Sequence, residues 1–87
     1  MKIRIFFIGS VKFSKAILKQ LLDINANIVG VATLEKSNFN SDHVDLTPMC
    51  KKDNIPVKYC PNINSIGTIA WIKSLKPDVV FCFGWSR

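Results

Sequence analysis

At 87 residues, 48% apolar and 21% charged, the chain has the makeup of one small packed domain and not of a disordered tail. Its formal charge of +6 suits a general attraction to anions, but apart from Lys51-Lys52 the lysines are scattered singly. With no basic run interleaved with aromatics, a dedicated DNA groove is excluded.

The first stretch, Lys2 to Ser14, runs apolar from Ile3 to Ile8, breaks at Gly9-Ser10, and resumes at Phe13 with a helical pattern. A buried strand turning at glycine into a helix is how an open parallel α/β sheet begins. The run is broken by Arg4, Gly9 and Lys12 and lacks a small-residue cleavage site, so it is not a secretion signal. No apolar segment is long enough to span a membrane. From Phe13 to Ile24, the residues Phe13, Ile17, Leu21 and Ile24 share one helical face, widened by Leu18 and Leu22. Ser10 or Ser14 can serve the helix's first amides, and Asn25 to Asn27 end it.

Asn27 to Thr33 reads as a second strand, with Gly30 marking the close approach of a neighbour. Leu34 to Asp45 is poor in apolar residues and rich in Asn, Ser and Asp, hence a long loop. Thr47-Pro48 reads as an N-cap followed by proline, opening a short helix to about Asn54. Ile55 to Cys60 is a short third strand, placed at a sheet edge because Pro56 has no N–H to donate. Asn64 or Ser65 caps a helix to Leu75, and Lys76-Pro77-Asp78 leads into a strongly apolar fourth strand, Asp78 to Gly84. The expected architecture is a three-layer α/β open parallel sheet, four strands in order 3-2-1-4, with helices on both faces and right-handed crossovers. That order sets Gly9-Ser10 and Gly84-Trp85-Ser86 on either side of the topological switch point, where ligands of such sheets bind. A chain that stops at Arg87, as this crevice opens, is expected to be truncated.

The chemical candidates are few. Gly9-Ser10-Val11-Lys12 could hold an anion on helix N-terminal amides, but a plain tight turn explains it equally well. Val11 and Ser14 stand where a GxGxxG fingerprint needs glycines, and no GxxxxGK[ST] is present. His43, flanked by Asp42 and Asp45, lies in a loop that carries such residues routinely. The cysteines Cys50, Cys60 and Cys82 are odd in number and widely spaced, so reduced thiols in a cytoplasmic chain are expected. Cys82 and Trp71 read as packing residues. Trp85, following Gly84 at a strand's carboxyl end, could stack on a planar ligand.

Three segments carry a wider pattern: KIRIFFIGSVKFSKAILKQLL, DLTPMCKKDNIPV and IKSLKPDVVFCFGWSR. Together they resemble the N-terminal half of the formyltransferase family, which includes methionyl-tRNA formyltransferase and the sugar-nucleotide N-formyltransferases. The shared features are a GxxxFS turn (Gly9, Phe13, Ser14), an IPV strand (Ile55, Pro56, Val57) and a KPD entry into an apolar strand. The resemblance implies a Rossmann-like fold, with residues 1–87 as the N-terminal part of a formyltransferase domain, and N10-formyltetrahydrofolate as cofactor. It implies that Phe83, Gly84 and Trp85 border the cofactor, and that Ser10 and Lys12 border an acceptor amine. The family's catalytic Asn-x-His and Asp have no counterpart in residues 1–87, and His43 lies in the wrong place to replace them, so the chain alone is expected to be inactive. The segment LEKSNFNSDHVDL holds one lysine and three acidic residues, Glu35, Asp42 and Asp45. Acidic groups repel phosphates, so the expected acceptor is an amino-sugar nucleotide, with tRNA as the alternative. A second expectation, of another class, is a non-catalytic module that self-associates through the exposed strand Ile55 to Cys60.

Overall fold

Alternating strands and helices build a four-stranded sheet with all pairings parallel, in the order β3-β2-β1-β4. The structure is a computed structural model and describes residues 3–35 and 42–83. The elements are β1 (Arg4–Ile8), α1 (Lys12–Asp23), β2 (Asn27–Thr33), α2 (Thr47–Lys52), β3 (Val57–Tyr59), α3 (Ile66–Ser74) and β4 (Val79–Cys82). No helix among the described residues is long and apolar enough to cross a membrane.

Because successive side chains of a strand point to opposite faces, β1 feeds two cores. Ile5 and Phe7 join Ile28 and Val31 of β2 beneath Leu18 of α1, with Leu46 and Cys50 completing the layer. Phe6 and Ile8 join Ala32 and Cys60 on the other face, under Trp71, Ile72 and Leu75. Trp71 meets Phe6 edge to face at 5.4 Å between centroids, and Lys58 Nζ sits 4.8 Å from the Trp71 ring centroid. Gly30 lies against Leu75, the residue that ends α3. A Cβ there would lie 2.5 Å from Leu75 Cδ1 and 3.0 Å from the Phe6 ring, and the β1–β2 register slips between Ile5 and Phe6.

The KPD entry has a local cause. Lys76 takes φ 52° as α3 ends, which turns the chain back toward β1. Asp78 N–H donates to the Arg4 carbonyl at 2.7 Å, and the Arg4 amide donates to Asp78 Oδ2 at 2.8 Å. The Arg4 guanidinium reaches the Lys76 carbonyl at 3.0 Å, a cation on the orphan carbonyls of a helix end.

Several expectations need correction. Phe13 and Ile24 are not buried but 59% and 73% exposed, because α1 leans on the sheet through Leu18, Ile17, Leu21 and Leu22, and Ile24 falls beyond its last turn. Asn25, at φ 60°, ends that helix as expected. Thr47 is the first residue of α2 and not its cap. Leu46 holds the cap position, and Asp45 supplies the capping oxygen, accepting from the Thr47 amide at 2.8 Å. Ser65 caps α3 by accepting from the Thr68 amide at 3.2 Å. Cys82 is exposed: its neighbour on the α3 face of the sheet, Ile8, is covered, but α3 does not extend over β4.

Candidate functional site at the carboxyl ends of the strands

The β1–α1 turn is closed on itself. Gly9 N–H donates to the Ala32 carbonyl at 3.1 Å, Val11 N–H to Ser14 Oγ at 3.2 Å, and Lys12 N–H to the Asp42 carbonyl at 3.0 Å. The last of these comes from a strap, residues 42–46, that crosses the turn and forms an antiparallel bridge between Val11 and His43. Val44 N–H donates to the Ser10 carbonyl at 2.8 Å, and Leu46 N–H to Thr33 Oγ1 at 3.4 Å. An anion cradle needs amides aimed outward. Here those of Gly9, Val11 and Lys12 are engaged internally, which favours the tight-turn alternative. Ser10, expected to border an acceptor, is fully buried beneath the strap; Lys12 is exposed. Of the two, only Lys12 presents its side chain to solvent.

The other wall is β4. Among the described residues its final rung to β1 is Phe83 N–H to the Ile8 carbonyl, at 2.9 Å. The Phe83 ring packs among Phe7, Phe81 and Phe13, with centroids 5.9, 5.8 and 6.0 Å away. Gly84 and Trp85, assigned with Phe83 to a cofactor, lie outside the described residues.

A cluster that sequence reasoning missed sits beside the strap. Asp45 Oδ1 accepts from the Thr47 amide and hydroxyl, both at 2.8 Å, and Asp45 Oδ2 accepts from the Tyr59 hydroxyl at 2.6 Å. Burial opposes ionisation of Asp45, but the bonds from Tyr59 and Thr47 and the proximity of His43 together hold its carboxyl below the usual range. The bond to Asp45 correspondingly raises the Tyr59 phenol. The Asp-x-Thr-Pro pattern signals the capping half of this cluster; the tyrosine half is a contact between distant segments and leaves no local signal. His43 does not pair with this carboxylate by hydrogen bond; its Nε2 lies 2.8 Å from the Leu34 carbonyl, fastening the strap to the end of β2.

Two shallow clefts flank the cluster, one of about 270 Å³ lined by Leu34, Glu35, Tyr59 and Pro61, the other of about 320 Å³ between Lys15, Asp45 and Lys52. A larger one, about 410 Å³, lies at the amino ends of the strands, among Asn25, Asn27 and Asp53. It is formed by helix-end turns at the wrong end of the sheet for a ligand site.

The fold is thus that of an open parallel α/β domain with strand order β3-β2-β1-β4, a class of architecture that binds ligands beyond the carboxyl ends of its strands. No family model matches the chain. It is similar to the methionyl-tRNA formyltransferases of Thermotoga maritima and of Thermotoga sp. strain RQ2, 28% identical to each over 88 residues. The similarity covers 97% of this chain and 28% of the relatives, so the chain spans a little over a quarter of their length. This supports the resemblance to formyltransferases.

Proposed function

We infer that the chain forms the cofactor-side part of an N10-formyltetrahydrofolate-dependent formyltransferase. The observation that carries this is the similarity to formyltransferases along nearly the whole chain. The residues present fit a folate. Phe83, half-buried among other phenylalanines, and the exposed Phe13 offer an aromatic wall for a planar pterin at the mouth of the crevice. When bound, the cofactor would supply the activated formyl group. What this chain contributes is the wall that orients it and keeps water from one side, while Lys12 adds positive charge on the acceptor side. The chemistry itself, a base and a polar group for the developing oxyanion, is assigned to residues outside 1–87.

The names of the relatives favour methionyl-tRNA as the acceptor, and the net charge of +6 agrees with a polyanion. An amino-sugar nucleotide is the second reading, favoured by Glu35, Asp42 and Asp45 in the segment after β2. Titration with 5-formyltetrahydrofolate, followed by tryptophan fluorescence, tests the cofactor assignment. Saturable quenching that disappears in Trp85→Phe is expected, since Trp71 is committed to Phe6; no saturable change would overturn it. Salt-dependent binding of tRNA then separates the two acceptors, because only a polyphosphate gives a steep salt slope.

A further inference from the structure

Ser14 is an odd residue for its place. It lies in the first turn of α1, is fully buried, and sits on the face that packs against the sheet, where an apolar side chain would ordinarily serve. A buried hydroxyl is costly unless it is hydrogen-bonded. This one is bonded on both sides: it accepts from Val11 N–H at 3.2 Å and donates to the carbonyl of Phe83, 69 residues away in sequence.

That second bond falls one residue past the Ile8–Cys82 pair of β1 and β4. Up to Phe83 the two strands are joined, the Phe83 amide donating to Ile8. On the other side of β1 the Gly9 amide donates to Ala32 of β2, and the Phe83 carbonyl is taken by the Ser14 hydroxyl. Gly9 makes room for this arrangement: a Cβ on it would stand 2.5 Å from Ser14 Cβ and 2.9 Å from the Phe83 carbonyl oxygen. The GxxxFS pattern therefore has a structural meaning. Glycine admits the serine, Phe13 stacks edge-on against the Phe83 ring at 6.0 Å, and the serine holds the Phe83 main chain.

We propose that Ser14 is a positioning residue for the cofactor wall, its hydroxyl fixing the carbonyl of Phe83 and thereby the placement of the Phe83 ring at the crevice. The proposal rests on the cofactor assignment given above for the ligand it serves, but not for the bond itself. Helix capping alone would need only the Val11 contact; the bond to Phe83 ties the helix to the far wall.

The test uses the 87-residue chain with Ser14→Ala, Ser14→Cys, which keeps the shape and loses most of the hydrogen bond, and Ser14→Thr, which keeps the hydroxyl. Two readouts are taken: affinity for 5-formyltetrahydrofolate, and amide exchange at Phe83 set against Val31 in the core. Loss of one such bond predicts affinity weakened about tenfold in the Ala and Cys variants and recovered in Thr. It also predicts faster exchange at Phe83 with Val31 unchanged. Equal loss of protection at Phe83 and Val31 would mean a purely structural serine and overturn the proposal, as would wild-type affinity and Phe83 protection in the Cys variant. If the wild-type chain fails to bind 5-formyltetrahydrofolate, the cofactor assignment falls, while the exchange at Phe83 still decides whether Ser14 holds that wall.

Discussion

Gly9 tolerates no side chain because three chain segments meet around it. Both Ser14 and the Phe83 carbonyl would lie within 3 Å of an added Cβ, and neither is the free end of a flexible side chain. Gly9→Ala is therefore expected to destabilise the fold by about 1–3 kcal/mol, the usual range for overpacking, measured as a lower urea midpoint at unchanged slope. Gly30→Ala should cost less, since the closest atom it meets is the tip of Leu75, which can rotate away. The thiols make a second residue-level contrast. Cys50 is buried, and burial, aided by Asp53 and Asp45, pushes its thiol up to about 12; burial also raises Cys60. Cys82 is exposed. Because the thiolate is the reactive form, a disulfide reagent such as DTNB should modify one cysteine of the native chain quickly and the other two only on unfolding. Cys82→Ser should remove the fast phase.

Among the elements, the strap of residues 42–46 is held by its own chemistry and not by apolar packing alone. Asp45 caps α2 and tethers Tyr59 at the end of β3, and His43 and Val44 bond to β2 and to the turn after β1. The folded chain holds the Asp45 carboxyl below its ordinary value of about 3.9. A carboxyl depressed on folding stabilises the fold at pH above its unfolded value, and that stabilisation is lost as the pH falls through the folded one. Stability measured by denaturant titration should thus drop below about pH 4, and Asp45→Asn should flatten that drop. At neutral pH, Asp45→Ala is expected to cost roughly 1 kcal/mol, the usual worth of a capping side chain; an unaltered midpoint would show that the strap holds without it.

The whole molecule is uneven at its two sheet edges. β3 carries Pro56 before it and Lys58 within it, and Tyr59 is occupied by Asp45, the features that blunt an edge strand. β4 also has a proline and a charge before it, Pro77 and Asp78, but Val79–Cys82 itself bears no charge and Val80 is 46% exposed. Self-association through β4 is therefore a second route to set beside the edge strand Ile55 to Cys60. Sedimentation equilibrium should show a mass that rises with concentration and returns to the monomer value in Val80→Lys; a monomer at all concentrations would exclude it.

The edge position of β3, the close approach at Gly30 and the left-handed end of α1 were legible in residues 3–35 and 42–83 because each rests on a local signal. Apolar runs, proline without an N–H, a glycine within a strand and an asparagine after a helix act over a few residues. The sheet order 3-2-1-4 is not a local signal; it was expected as the usual arrangement of such a series of elements. The state of the site was not legible. Whether the amides of the first turn face a ligand depended on residues 42–46, some thirty positions away, and whether Cys82 and Val80 are covered depended on how far α3 reaches across the sheet. The burial of Ser10, the Asp45–Tyr59 pair and the Ser14–Phe83 bond are all contacts between segments far apart in the chain. Sequence alone determined the elements and their order along the chain, since periodicity and turn chemistry are properties of neighbours. Only tertiary structure decided which groups at the crevice are sealed, which are open, and which serine joins its two walls.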